Sequence, residues 1–364
     1  MADVERFVDT AADAGGDGTT RNHSSGDSTH AYASLAAWES AEGADLVTAT
    51  DTHRVRCAGS TADTTETTVN GFTTNSSFFV TIQGDDVGGD GFYDGNLVWS
   101  TSHYRMEVSG GFRALRIQND FTVVDGIQLQ CTKNSSFAFC LQLEKPSTIA
   151  RNCRITSVGN TVEAGLSLGD NTIANVNGLA YNNIVFDCAG LGIRAEASGT
   201  SAQTFDVYNN TVFDCTTGIK NGTDNADLTY NFFNNAFFNN TTDMSLIEVS
   251  ATVNHDWNAG EDAPPTDETN GVTIGTLTDA MTDPSNATMK SRNVQVKDSG
   301  SSLFKASEIT NADDSNVPTV DIVGNTRNTA TGTSTSVGAW ANISEAAAGF
   351  VARHPIRRQP LINW

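Results

Sequence analysis

Short apolar segments recur along the middle of the chain and alternate with polar turns. The clearest pair is 181–188 and 208–215, which share the pattern Tyr-Asn-Asn-x-Val-Phe-Asp-Cys. A third copy lies at 233–240, and two weaker copies begin at Asp125 and Arg151. Because side chains along a strand point alternately to opposite faces, each copy predicts a short strand with an apolar face.

Aligning the five copies places similar residues in columns. One column is wholly apolar and contains Leu129, Ile155, Phe186, Phe213 and Phe238, at offsets of 26, 31, 27 and 25 residues. Three positions earlier lie Gly126, Asn152, Asn183, Asn210 and Asn235, and two positions later lie Cys131, Ser157, Cys188, Cys215 and Asn240. A short strand repeated at this period predicts the coil of a three-faced parallel β-helix, in which neighbouring coils stack about 4.8 Å apart.

The stacking also predicts where each column points. The Phe column is predicted to form one pile inside the solenoid. The Asn column is predicted to lie at a bend, where its amides bond the coils above and below. Cys131, Cys188 and Cys215 are predicted to be reduced core residues, because no two cysteines have the C-x-x-C spacing of a zinc or redox site.

The two ends of the chain differ from the repeats. Phe7-Val8-Asp9 predicts a short strand, and the apolar spacing around Leu35 and Trp38 predicts a helix. Because an open solenoid end would expose core and unpaired strand edges, we expect this helix to cap it. The predicted organisation is an N-terminal cap over 1–77, β-helix coils over 78–340 and a C-terminal tail over 341–364.

These features resemble those of the right-handed parallel β-helix repeat superfamily, which includes pectate-lyase-like enzymes and phage spike and decoration proteins. The segments Asp321–Arg327 (D-I-V-G-N-T-R) and Ser336–Trp340 (S-V-G-A-W) are similar to the closing coil of many such proteins, with Val337 where the family often has Ile. The resemblance implies an all-β fold, a right-handed parallel β-helix with an N-terminal capping helix and a C-terminal tail. It also implies a homotrimer, since such proteins commonly form trimers.

The net charge limits the classes of partner that the chain is expected to bind. The chain carries 43 Asp and Glu against 21 Lys and Arg, a net charge of −22. This balance argues against binding nucleic acid or an anionic membrane surface, since both need clustered cations. The opening residues, Met1-Ala2-Asp3-Val4-Glu5, show neither the basic segment nor the apolar stretch of a secretory signal, so we expect a protein that is not exported.

The main catalytic hypothesis is a pair of stacked carboxylates. Asp187 and Asp214 share a column and are predicted to point outward about 5 Å apart, which suits a retaining glycosidase or a Ca²⁺ site. Arg194 and Lys220 are predicted to be in register on the same coils, where a lyase-like mechanism needs a base. Repetition alone also produces such columns, so a solvated face is the favoured interpretation. The six histidines lack ligand spacing, and we predict no metal site and no cofactor, with Ca²⁺ as the alternative.

The tail 341–364 is locally basic on a very acidic chain. Arg353, Arg357, Arg358 and Trp364 belong to residue types that favour protein interfaces. The tail is therefore predicted either to cap its own solenoid or to dock on a capsid or tail protein.

The sequence favours a non-enzymatic structural virion protein of a phage, either a capsid decoration (cement) protein or a spike component. A β-helix with no secretory signal, no recognisable active-site motif and a distinct tail fits that class, and contact with a surface glycan is a further hypothesis. Its expected location is the virion, assembled in the host cytoplasm. The alternative is a polysaccharide lyase or glycoside hydrolase acting on an acidic or surface polysaccharide, which would be extracellular.

Overall fold

The computed structural model describes residues 2–23, 26, 29–85, 99–170, 176–198, 201–223, 225–256, 258–262 and 271–273, together with short strands between residues 281 and 336. Within these residues, the helices are α1 (Leu35–Glu42) and α2 (Leu46–Ala49). The strands of the first half are β1 (Asp3–Asp9), β2 (Thr52–Ala58), β3 (Thr67–Val69), β4 (Val80–Gly84), β5 (Arg105–Val108), β6 (Arg113–Ile117), β7 (Thr122–Asp125), β8 (Gln128–Cys131), β9 (Phe139–Leu143), β10 (Thr148–Arg151), β11 (Arg154–Thr156), β12 (Ala164–Asp170), β13 (Gly178–Tyr181) and β14 (Ile184–Phe186). They continue as β15 (Leu191–Ala197), β16 (Gln203–Tyr208), β17 (Thr211–Phe213), β18 (Thr217–Asn221), β19 (Leu228–Phe233), β20 (Ala236–Phe238), β21 (Thr242–Ser245), β22 (Thr252–Asp256), β23 (Ala259–Gly260), β24 (Val272–Thr273), β25 (Met281–Asp283), β26 (Asn293–Val296), β27 (Phe304–Ala306) and β28 (Ser334–Ser336).

Three parallel sheets form a β-solenoid of about seven turns. The first sheet has the order β1-β2-β4-β7-β10-β13-β16-β19-β22, the second β5-β8-β11-β14-β17-β20-β23-β24, and the third β3-β6-β9-β12-β15-β18-β21. A typical coil contributes one strand to each sheet, so that a residue lies directly over its counterpart in the next coil. The predicted parallel β-helix is thereby confirmed. Beyond it, β25 pairs with β26 and β27 with β28, both antiparallel.

Rows of apolar side chains fill the interior of the solenoid. On the second sheet the inward row contains Leu129, Ile155, Val185, Val212 and Phe237. On the third sheet it contains Leu115, Leu141, Leu166, Ile193 and Ile219. All of these side chains are at most 1% exposed, so each coil buries its apolar surface on its neighbours.

The predicted Phe column is wrong in register and in direction. Ile155 lies against Val185 rather than Phe186, so the true offset there is one residue shorter than predicted. Phe186 and Phe213 do stack, with ring centroids 5.3 Å apart, and Phe213 is in register with Phe238. However, these rings lie on the outer face of the second sheet, because the residue before each of them points into the core.

An asparagine ladder joins the coils where the first sheet turns into the second. The backbone N–H and the Nδ2 of Asn183 each donate to Asn210 Oδ1 at 3.0 Å, and Asn210 donates to Asn235 in the same way. In the preceding coil Cys153 occupies the ladder position, and its N–H donates to Asn183 Oδ1 at 3.0 Å. The predicted Asn column is therefore confirmed from Asn183 onward, whereas Asn152 belongs to the neighbouring column.

That neighbouring column turns the chain through a left-handed backbone conformation. Its members are Gly126, Asn152, Asn182, Asn209 and Asn234, with φ between 53° and 69°. Glycine and asparagine tolerate this conformation better than other residues, which explains why the repeats carry two consecutive asparagines. The first Asn makes the bend, and the second bonds the next coil.

The N-terminal end is closed by helix α1. Its N-cap is Ser34, whose hydroxyl accepts from the N–H of Ala37 at 3.1 Å, and the helix buries Leu35 and Trp38. The predicted helix and the predicted strand at Phe7–Asp9 are thus confirmed. Parallel stacking nevertheless begins with β1, which pairs with β2, and β2 pairs with β4. The coils therefore start well before residue 78, inside the region predicted to be a cap.

All six cysteines are free and buried. The prediction that Cys131, Cys188 and Cys215 are reduced core residues is confirmed. Burial raises the pKa of the Cys153 thiol to about 12, so that this side chain stays neutral in the core.

Candidate functional site

Asp187 and Asp214 lie at the corner between the second and third sheets, immediately after β14 and β17. Their backbone N–H groups donate to Phe213 O at 3.1 Å and Phe238 O at 3.0 Å, which stacks the two aspartates in adjacent coils, as predicted. Both are half-buried and have a left-handed backbone, with φ of 53° and 55°. Because Asp and Asn adopt this conformation more readily than other non-glycine residues, the turn itself accounts for the residue type.

The same corner continues into the next coil at Asn239, which has φ of 50°. Its Nδ2 donates to Asp214 Oδ1, and its backbone N–H donates to Glu261 Oε2 at 2.5 Å. On the other side, the backbone N–H of Gly159 donates to Asp187 O at 2.8 Å. The Asp214 carboxylate and the Asp187 backbone carbonyl therefore bond to neighbouring coils and support the corner.

Arg194 is enclosed by charged and aromatic side chains on the outer face of the third sheet. Its Nη1 lies 2.5 Å from Glu163 Oε1, and its Nη2 forms an ion pair with Glu196. The guanidinium carbon lies 5.8 Å from the ring centroid of Phe139, two strands away, and Ser167 is the register partner of Arg194 in the intervening strand. Two carboxylates thus pair with the positive charge of a buried Arg194, and a guanidinium keeps its proton, so this residue does not suit proton abstraction.

Lys220 lies in register with Arg194, as predicted, and is half-buried. Within the described part of the chain, its ammonium has no carboxylate partner. Of the two predicted basic residues, Lys220 is therefore the one whose charge no described neighbour neutralises. The predicted docking residues Arg353, Arg357, Arg358 and Trp364, like the closing segment from Asp321 to Arg327, lie outside the described residues.

A row that the sequence reasoning missed follows the outer face of the first sheet. Tyr181, Tyr208 and Phe233 are in register, and the rings of Tyr208 and Phe233 stack with centroids 5.8 Å apart. The Tyr208 hydroxyl donates to Asp206 Oδ1 at 2.7 Å, and this oxygen also accepts from Asn231 Nδ2 at 2.7 Å. Tyr181 and Tyr208 are buried, so of these three rings the half-buried Phe233 is the one that presents surface beside hydrogen-bonding groups, the combination that binding sites for polar small molecules use.

This aromatic row ends at Phe233. The counterpart of Phe233 in the next coil is Asp256, so among the described residues no further ring covers that side of the half-buried phenyl group. The exposed Asn254 lies beside it and donates through Nδ2 to Asn231 Oδ1 at 2.8 Å. The sequence does contain a signal for this aromatic row: an aromatic residue opens each of the three clearest repeat copies.

Comparison with protein-family models, curated proteins and solved structures finds no match to this chain. Among the described residues, no group of three or more His, Cys, Asp or Glu is arranged to hold a metal ion. Neither described helix has the length and apolar character needed to cross a membrane.

Proposed function

We propose that this chain is a non-enzymatic structural protein of a phage particle, a capsid decoration or spike component, that contacts glycans along the outer face of its first sheet. The observation that supports it best is that three of the four residues predicted for catalysis have structural roles. Asp187 and Asp214 form left-handed corners, and Arg194 is held in a double ion pair.

Rigidity supports the same proposal. A typical coil is bonded to the next by three strand ladders, and from Asn183 onward the asparagine ladder adds to them. Proteolysis requires local opening of the backbone, and these ladders leave little of it free to open. Such a rod suits a protein that stays folded on the outside of a particle.

The glycan part of the proposal rests on the end of the aromatic row. The half-buried Phe233 offers part of a ring face, and the exposed amide of Asn254 lies beside it. With a net charge of −22, the chain repels polyanions. We therefore propose a neutral or cationic glycan as the ligand rather than an acidic polysaccharide.

Particle association tests the structural role directly. We expect the full chain to co-sediment with particles purified from its own host, and deletion of residues 341–364 to release it into the soluble fraction. A Val249→Ala variant, altered at a side chain that is 86% exposed, serves as the control and should remain on the particle. If the full chain is absent from purified particles, the proposed structural role is wrong.

The stacking of Asp187 over Asp214, with Lys220 in register nearby, is the observation that favours an enzyme instead. The double variant Asp187→Asn/Asp214→Asn separates the two functions, because Asn keeps the left-handed corner while both carboxylates are lost. We expect the wild type and the variant to release equal, background amounts of unsaturated products and reducing ends from a panel of acidic and neutral polysaccharides. Product release by the wild type alone would establish the lyase or hydrolase.

A further inference from the structure

One histidine points into the core at the N-terminal end of the solenoid. His53 lies on β2, in register with Val4 of β1 and Val80 of β4. The next buried position along β2 is the core residue Val55, so the imidazole is on the inner face of the strand. His53 is 7% exposed, and its ring centroid lies 5.4 Å from that of Phe72. A titratable ring therefore occupies a position surrounded by aliphatic and aromatic side chains.

The buried ring lacks the hydrogen bond that would usually accompany such a position. Among the described residues, Nδ1 of His53 is buried without a partner. Most buried polar atoms in proteins have one. A neutral imidazole can still be accommodated here, but a protonated one would place a full positive charge in an apolar site, which is far more costly.

Four charged side chains act on the ring of His53. Glu42 at the end of α1, Asp51 just before β2 and Asp3 of β1 favour its protonation. Arg6 of β1 opposes it. Each of the three carboxylates already accepts a hydrogen bond from a group other than His53. They attract a proton to the ring without being placed to bond the protonated form.

The other strands beside the ring add no compensating charge. Residues 70–84, which include Phe72 and β4, contain no charged residue. Arg54 and Arg56 of β2 alternate with the buried positions of that strand and point to its outer face. Burial therefore outweighs the carboxylates and lowers the pKa of His53 below its ordinary value.

We propose that His53 is an acid-sensitive switch for the N-terminal end, whose protonation releases β1 and α1 while the coils from β4 onward stay folded. The position of β1 allows this, because it is the first strand of its sheet and can leave without breaking a later ladder. Its release would make β2 the edge strand, and an open strand edge pairs readily with another strand. The switch does not depend on a role on a particle or on glycan binding.

The lowered pKa sets the direction of the pH dependence. In the unfolded chain the pKa of a histidine is about 6.5, so the released state binds the proton more tightly than the closed state does. The stability contributed by the neutral ring is complete above about pH 6.5 and is lost as the pH falls from that value toward the pKa of the closed state. Acid, rather than base, therefore opens the end.

Hydrogen exchange followed by mass spectrometry, at about pH 7.5 and about pH 5.5, brackets this range. After correction for the intrinsic exchange rates, we expect peptides from β1 and α1 to lose protection at the lower pH, and peptides from β13 to β20 to keep theirs. His53→Leu should keep β1 and α1 protected at both pH values, because leucine suits the apolar site and does not titrate. The control His23→Gln removes an exposed histidine that pairs with Asp9 at 2.9 Å and should open like the wild type.

An NMR titration of the histidines adds a measurement on the unaltered chain. We expect the His53 signal, identified by its loss in His53→Leu or in His53→Gln, to titrate below about pH 6.5. The proposal is overturned if β1 and α1 stay protected in acid, if either His53 variant still opens there, or if the later coils lose protection together with β1. A His53 signal that titrates at or above this pH would overturn it as well.

Discussion

Replacing Asn210 with alanine should lower the free energy of unfolding by about 4 kcal/mol. Asn210 Oδ1 accepts from both nitrogens of Asn183, and its Nδ2 donates to Asn235 Oδ1 and Ala180 O, each at 3.0 Å. Alanine would leave the buried Asn183 N–H without its acceptor, which costs about 1–3 kcal/mol. It would also remove the three bonds that involve Asn183 Nδ2, Asn235 Oδ1 and Ala180 O, each worth about 1 kcal/mol, although Asn183 Nδ2 keeps Ala150 O and Asn235 Oδ1 keeps the Asn210 N–H. Urea unfolding followed by circular dichroism measures the loss.

The matched control is Asn254→Ala. Asn254 is exposed, and its side chain donates one bond, to Asn231 Oδ1 at 2.8 Å. We expect its unfolding free energy to change by less than about 0.5 kcal/mol. Equal effects of the two substitutions would show that the asparagine ladder does not hold the coils together.

Removing the Trp38 indole from the N-terminal cap should lower the free energy of unfolding by a comparable amount. Trp38 is 0% exposed and stacks on Phe72 with ring centroids 5.3 Å apart. Trp38→Ala should cost about 3–5 kcal/mol, because it opens a cavity between α1 and the first coils. Thermal and urea unfolding would show the loss, and we expect aggregation to increase as the covered solenoid end becomes accessible.

A second substitution at this position isolates the cause. The Nε1 of Trp38 is buried and has no acceptor among the described residues. Trp38→Phe keeps a ring against Phe72 and removes this unsatisfied N–H. The free energy of unfolding should therefore fall much less in Trp38→Phe than in Trp38→Ala. If the two variants unfold alike, packing at the cap does not limit stability.

The repeat period predicted the solenoid. A short apolar strand that recurs in every repeat has few ways to bury its surface other than stacking on the strands of neighbouring repeats. The register of the strands was harder to predict, because Ile184, Val185 and Phe186 are all apolar and all buried. A slip of one residue exchanges the two faces of a strand, and periodicity alone cannot choose between two apolar faces. The left-handed turn at Asp187 added to the error, since it lets Cys188 point inward although Phe186 points outward.

The candidate site was predicted only in part. The stacking of Asp187 on Asp214 follows from the repeat, as does the register of Arg194 with Lys220. The enclosure of Arg194 does not, because its guanidinium lies close to Phe139, two strands away, and no local pattern records a contact between such distant coils.

The asparagine ladder makes one coil interchangeable with the next. Asn183 bonds Asn210, 27 residues later, with the same geometry with which Asn210 bonds Asn235. A tandem duplication of residues 183–209 would therefore present matching donors and acceptors at both of its junctions. Each duplicated coil would lengthen the solenoid by about 4.8 Å. Gene duplication can therefore set the length of the solenoid in whole coils while both of its ends stay unchanged.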